Sequence, residues 1–231
     1  MKSNWFQMED VDVFISHSHK DIVKVKAFAG WLYDEFGITA FIDSCVWGYC
    51  DELLKQIDER YCKNKKGDTY NYNLRNYTTS HVHMMLSTAL TEMIDKTECI
   101  MFYNSPNSVS MADDLKKMDK EGKKVTLSPW IYYELAMTKM TRICKPDRDI
   151  QVVGNIVKHS AFAEMNTISI EHSVDEYIKE LIEIKPYDLE RWIKKYEVLT
   201  HRIDGDNIRS IKGYENIHPL DVLYSLTVLS E

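Results

Sequence analysis

The sequence predicts an α/β protein: a central, largely parallel sheet flanked by helices, followed by a helical extension. Two observations carry this. The stretch from Asp12 to Asp43 reads as strand, helix and strand joined by short turns, an order that makes a parallel unit. Later, apolar runs alternate with helical segments, giving roughly five strands with helices between most of them.

The first strand is Asp12-Val13-Phe14-Ile15-Ser16, a β-rich run followed by Ser and His. Ser18 and Asp21 resemble a capping box before a helix whose Ile22, Val25, Ala29, Leu32 and Phe36 recur at helical spacing. Gly37 closes that helix, and Ile38-Thr39-Ala40-Phe41-Ile42-Asp43 is the second strand. Ser44 to Cys50 is a turn-like loop with an aromatic tip, Trp47, and Asp51 opens a helix with Leu53, Leu54 and Ile57 as its apolar positions. Residues 63–80 are rich in Asn, Tyr, Lys and Thr without apolar periodicity and read as an insertion. His81 to Lys96 resumes as a helix and delivers the chain to a third strand, Glu98 to Asn104, expected at the centre of the sheet.

Residues 106–127 read as a solvated, charged connector to the Ser128 cap. Ser128 with Pro129 starts a helix that runs to Met140. Ile150-Gln151-Val152-Val153 and Asn166-Thr167-Ile168-Ser169-Ile170 supply the last two strands. Beyond Ser173 the pattern is helical, with a final helix expected from His218 to Glu231. The division that follows is a domain over 11–170 and a C-terminal helical extension over 171–231, packed on the domain or continuous with it.

Composition narrows the function. Lys+Arg 29 against Asp+Glu 36 gives a net charge of -7, which argues against nucleic acid and anionic membrane surfaces as partners. No long apolar run or leader-like N-terminus stands in the sequence, so the expected location is cytoplasmic. The five cysteines contain no C-x-x-C pair and read as reduced thiols. His81-x-His83 would diverge on a helix and lacks a third ligand, so no metal is expected. Eight glycines include no Walker loop and no G-x-G-x-x-G turn.

The candidate chemistry lies at the Ser128 helix. Trp130 and Glu134 stand four residues apart and therefore share one side of it. Ser16, His17 and Asp43 fall at the carboxyl ends of the first two strands, the edge of a parallel sheet where ligands bind. For each residue a plain structural role competes: Ser16 and His17 in a turn, Asp43 on loop amides, Ser18 and Asp21 as a helix cap.

Taken in order, Asp12 to Ser18, Ile38 to Asp43, the loop from Cys45 to Cys50, and Trp130-Ile131-Tyr132-Tyr133-Glu134 resemble a Toll/interleukin-1 receptor (TIR) domain. The resemblance is to the bacterial NAD-cleaving members, similar to the signal-producing component of Thoeris-type anti-phage systems, and it covers roughly Val11 to Ile170. It implies a flavodoxin-like fold with a five-stranded parallel sheet. It implies Glu134 as the catalytic residue, with Phe14, Ser16, His17, Asp43, Trp47, Trp130 and Tyr133 binding substrate.

NAD enters as substrate, and no cofactor is implied. The resemblance further implies an ADP-ribose-derived messenger, linear, cyclic or conjugated, that a downstream effector reads. It also implies self-association through TIR–TIR contacts and a phage-derived activator. The segments 63–80 and 106–127 are longer than a minimal TIR domain needs. Two other functions fit the residues: a non-catalytic TIR scaffold, and a nucleoside deoxyribosyltransferase-like enzyme, which also sets a glutamate beside a ribosyl carbon.

Overall fold

The structure is a computed structural model that describes residues 10–46, 50–65, 69–111, 124–141, 148, 172–204, 207–210 and 217–227. It is a mixed α/β fold, rich in helix, around a three-stranded parallel sheet. Strand β1 (Val13–His17) lies between β2 (Ala40–Phe41) and β3 (Cys99–Tyr103). Among the described strands β1 is therefore central, where β3 was expected. The other two expected strands, 150–153 and 166–170, lie outside the described residues.

Alternation along β1 divides the core. Val13 and Ile15 point to one layer, where helix α1 (Ile22–Phe36) contributes Val25, Leu32 and Phe36. Phe14 points to the opposite layer, against Phe41, Leu53, Val82, Leu86 and Leu90. Because both faces are covered, all five residues of β1 are buried. Asp12 staples the sheet at its start: its carboxylate accepts from the Thr39 backbone N–H and hydroxyl, each at 2.7 Å. Gly37, at φ 67°, ends α1 in the left-handed conformation and lets the Ile38 N–H return to the Leu32 carbonyl at 3.3 Å.

The capping box gives way to a different arrangement. Ser18 makes no side-chain cap bond, and Asp21, 1% exposed, turns inward to the segment that follows β3. After β2 the short helix α2 (Asp43–Val46) begins at once, and α3 (Cys50–Ile57) runs into a π-helical turn over Asp58–Cys62. Helix α4 (Tyr72–Lys96) is longer than its periodicity predicts and absorbs half of the expected insertion. The Asn71 side chain caps it by accepting from the Leu74 N–H at 3.1 Å. Its first turns are exposed, and the packed positions from Val82 to Ile94 anchor the rest.

The expected connector also holds structure. Strand β4 (Ser110–Met111) pairs antiparallel with β5 (Lys124–Thr126), which pairs with β6 (His172–Ser173). A strand beyond the expected boundary at 170 thus lies beside β5. Helix α5 (Pro129–Met140) follows, packing Ile131 and Leu135 with Phe102, Val109, Val174 and Ile178 of the short helix α6 (Asp175–Ile178). Helix α7 (Pro186–Thr200) leads into a hairpin of β7 (His201–Asp204) and β8 (Asn207–Ser210), and α8 (Pro219–Thr227) follows. Trp192 of α7 is fully buried, stacks on Phe36 with ring centroids 4.1 Å apart and donates to the Pro219 carbonyl at 2.8 Å. Helices α7 and α8 thereby share one core with α1 and the sheet. Among the described residues no helix is long and apolar enough to cross a membrane.

Candidate active site

The site forms where the carboxyl end of β1 meets the first turns of α5. Parallel register sets Ser16 opposite Phe102 and His17 opposite Tyr103, so both β1 residues reach the rim of the sheet. On the helix, Ser128 accepts the Ile131 N–H at 3.3 Å and Pro129 occupies the first turn, which fixes where α5 starts and hence where Glu134 falls. Glu134 is 4% exposed, and the Ser16 hydroxyl donates to its Oε2 at 2.5 Å.

Burial pushes the Glu134 carboxyl well above the usual carboxylate range, and the negative charge of Asp43 adds to the rise. The Ser16 hydrogen bond works against it, since it favours the ionised form. Asp43, in the first turn of α2, is also shifted upward by burial, opposed by His17 and by the Ser44 backbone N–H. Protein atoms crowd Asp43, yet 31% of its side chain stays open to solvent. Both carboxyl groups are thus shifted toward their protonated forms, Glu134 the more strongly.

His17 meets the site on its Asp43 side. Its Nδ1 lies 3.1 Å from the Ile15 carbonyl, which can only accept, so Nδ1 carries the proton and Nε2 faces the Ser44 hydroxyl at 3.2 Å. The same Nδ1 is 3.9 Å from Asp43. Trp130 is half-buried one turn before Glu134 and meets the His83 ring edge-on with centroids 5.3 Å apart. Ser16 with Glu134 and His17 with Asp43 therefore lie together at this rim, while Trp130, one turn before Glu134, packs against His83.

Two expected substrate contacts do not. The Phe14 ring is 0% exposed and stacks on Phe41 at 5.7 Å, because its position on β1 turns it into the layer beneath α4. The Tyr133 hydroxyl donates to the Ser87 carbonyl at 3.0 Å and lies 2.7 Å from the Thr91 hydroxyl, which ties α5 to α4. Both are framework residues. Trp47 lies outside the described residues.

Three features escaped sequence reading. Asp21 accepts from the Ser105 hydroxyl and from Asn107 Nδ2 at 3.0 Å, pinning the turn after β3. Burial opposes its charge, but the bonds from Ser105, Asn107 and Lys24 outweigh it and hold the carboxyl below its ordinary range. Ser44 completes the His17 contacts. Asn104 closes β3 at the same rim, and its side-chain nitrogen and oxygen are both buried without a hydrogen-bond partner. The signal for the last was the polar run Asn104-Ser105-Pro106-Asn107-Ser108, which directly follows a strand.

At the opposite end of the sheet Glu98, His218 and Asp221 bring ligand-type atoms within 4.8 Å of one another. The Arg148 guanidinium already bridges the two carboxylates, with two bonds to Glu98 at 2.6 and 2.7 Å and two to Asp221 at 2.6 and 3.2 Å. A fixed cation between the carboxylates makes this cluster a structural tie rather than a metal cradle. Comparison with known proteins adds no relative: no family model, no curated protein and no solved structure matches the chain.

Proposed function

We propose that the chain is a TIR-type enzyme that cleaves the nicotinamide–ribose bond of NAD and yields an ADP-ribose-derived messenger in bacterial anti-phage defence. The fold belonging to this reading is the flavodoxin-like one with a five-stranded parallel sheet. What carries the reading is one contact: Glu134, buried on the capped helix after Trp130, hydrogen-bonded by Ser16 at the end of the central strand.

The chemistry follows from charge. Nicotinamide in NAD is a pyridinium; when its bond to the ribose C1′ breaks, the electron pair goes to the ring nitrogen and a neutral base leaves. No general acid is needed, unlike in ordinary glycoside cleavage. The positive charge moves to the ribose, where a carboxylate in a dry setting stabilises it. A cationic substrate beside Asp43 and Glu134 lowers the carboxyl pKa values, so that the pair's proton is released to solvent as substrate binds and the second negative charge develops where the ribosyl cation forms. Ser16 holds Glu134 in position, and Trp130, one turn earlier on the helix and packed on His83, supplies an apolar wall in this reading. Capture of C1′ by water returns a proton to the carboxylate and gives ADP-ribose; capture by a hydroxyl gives a cyclic or conjugated product.

Self-association through TIR–TIR contacts, a phage-derived activator and an effector that reads the product belong to this reading, as does a cytoplasmic setting.

One observation favours a second reading. A proton retained by the Asp43–Glu134 pair is what a neutral nucleobase needs as it leaves, so a nucleoside deoxyribosyltransferase-like reaction fits the same groups. Incubating the concentrated chain with NAD and, separately, with a panel of nucleosides, followed by mass spectrometry, separates the two. Nicotinamide release that Glu134→Gln abolishes supports the NAD reading. Base release from nucleosides alone transfers the site to the second. NAD and nucleosides both intact, even in lysate from phage-infected cells, leave only the non-catalytic scaffold.

A further inference from the structure

Asn104 is the one described residue at the rim of the sheet whose polar groups are buried and unspent. Neither its Nδ2 nor its Oδ1 meets solvent or a hydrogen-bond partner, although the residue as a whole keeps part of its surface open. A buried amide left unpaired is costly, and an ordinary fold removes it by rotation or by a shift of backbone.

Here the backbone is not free to shift. The next residues form a tightly bonded turn: the Ser105 N–H donates to Ser108 Oγ at 2.9 Å, and the Ser108 N–H returns to the Ser105 carbonyl at 3.0 Å. The Thr126 hydroxyl donates to the Ser108 carbonyl at 2.7 Å, and buried Asp21 holds Ser105 and Asn107. Every neighbour in this turn is satisfied, and the Asn104 amide alone is not.

Register says which way it faces. Ile100 and Phe102 pack in the layers of α4 and α5, whereas Cys99, Met101 and Tyr103 pack toward α1. Strand alternation continues Asn104 on the side of Ile100 and Phe102. Phe102 is opposite Ser16, whose hydroxyl reaches Glu134. Two residues of rise and one strand spacing then separate the Asn104 and Ser16 backbones by about 8 Å.

We infer that Asn104 recognises the carboxamide of the nicotinamide leaving group, its amide offering one donor and one acceptor to the same pair on the ligand. The inference rests on the NAD reading and names a specificity residue within it. A carboxamide satisfies both atoms at once, whereas the carboxylate of nicotinic acid offers two acceptors and strands the Nδ2–Oδ1 pair. The contact positions the ring so that its C1′ bond lies over Glu134, and it favours NAD over the nicotinic-acid dinucleotide.

The test uses the full chain with Asn104→Leu and Asn104→Asp, ligand-observed NMR with nicotinamide, nicotinic acid and adenine, thermal melting, and cleavage of NAD against its nicotinic-acid analogue. Asn104→Leu should weaken nicotinamide binding roughly 10- to 30-fold, the worth of two neutral hydrogen bonds. It should do so with an unchanged or higher melting temperature, because it removes an unpaired amide. The preference for NAD over the analogue should fall by a similar factor, and Asn104→Asp should not restore it.

Wild-type chain that binds no nicotinamide overturns the inference, as does Asn104→Leu that binds it like wild type or that melts several degrees lower. Adenine bound through Asn104 in place of nicotinamide also overturns it, since adenine carries the same donor–acceptor edge. If NAD is cleaved but its preference survives Asn104→Leu, the inference fails and the NADase reading stands. If nicotinamide binds through Asn104 but neither dinucleotide is cleaved, the contact stands and the NADase reading fails.

Discussion

Replacing Glu134 by Gln should leave the fold at least as stable as wild type at pH 8 and remove a pH dependence that wild type carries. The native carboxyl is shifted well above its ordinary value by burial and by Asp43. Between the ordinary glutamate pKa, about 4.3, and the native value, the folded state holds a proton that the unfolded state has released. The stability this proton brings is complete below the unfolded pKa and is lost as pH rises through the folded one. Above that window a constant penalty remains, about 1.4 kcal/mol for each unit by which the pKa is raised.

Gln occupies the same volume, accepts the Ser16 hydrogen bond through its carbonyl oxygen, and carries no charge for Asp43 to oppose. The variant should therefore exceed wild type by at least about 1 kcal/mol at pH 8, with the gap closing toward pH 4. Glu134→Ala separates the terms, because it leaves the buried Ser16 hydroxyl unpaired and should lie about 1–3 kcal/mol below Glu134→Gln at either pH. Urea titrations followed by tryptophan fluorescence, from pH 4 to pH 8, read all three. A Glu134→Gln variant less stable than wild type at pH 8, or one with the same pH slope, refutes the picture of a buried, charge-opposed carboxyl.

Three further outcomes follow from the same geometry. Trp192→Ala should destabilise by about 3–5 kcal/mol in urea unfolding, since it empties a fully buried site against Phe36 and leaves the Pro219 carbonyl unpaired; a loss below 1 kcal/mol would detach α7 from the core. Asp21→Asn should cost about 1–3 kcal/mol at pH 7. That gap should narrow as pH falls, because a carboxylate held below its ordinary range stabilises above the unfolded pKa of about 3.9 and loses this as pH drops through its folded value. An equal gap at pH 7 and pH 3 contradicts it. Arg148→Met should cost about 3–5 kcal/mol by stranding Glu98 beside Asp221, and adding Glu98→Gln with Asp221→Asn should recover much of it; no recovery means the loss is not electrostatic.

Local signals in the chain were enough for much of this arrangement. Ser128, Pro129 and the apolar run behind them define α5, and the position of Glu134 follows from that start. Gly37 marks the end of α1, and the β1 and β3 runs are read from their composition. What sequence leaves open is which way a side chain turns once distant segments meet. Ser18 and Asp21 have the spacing of a capping box, but the cluster of Ser105 and Asn107, more than eighty residues on, offers Asp21 stronger partners.

Phe14 and Ser16 share one face of β1, yet the first lies under α4 and the second at the rim, a distinction that depends on strand length in three dimensions. Tyr133 has an aromatic ring suited to a pocket, and only the approach of α4 shows that its hydroxyl is taken by Ser87 and Thr91. The first turns of α4 lack apolar periodicity because they are largely exposed and meet the 58–62 turn through polar contacts, Arg75 with Asp58 at 2.7 Å and Thr78 with Cys62 at 3.7 Å; their helix is inherited from the anchored half. The β7–β8 hairpin corrects the reading of the pattern beyond Ser173 as helical throughout, although Asp204-Gly205-Asp206 stands in the sequence as a turn signature between two β-rich runs.

The central claim is that the ionised Glu134 stabilises a ribosyl cation formed from NAD. A unit charge about 4 Å from that cation, in a protein-like dielectric near 20, is worth about 4 kcal/mol, or roughly a thousandfold in rate. The direct measurement is the single-turnover rate of nicotinamide release by the concentrated chain, wild type against Glu134→Gln. The account predicts release by wild type and a fall of about a thousandfold in the variant; equal rates in the two proteins would contradict it.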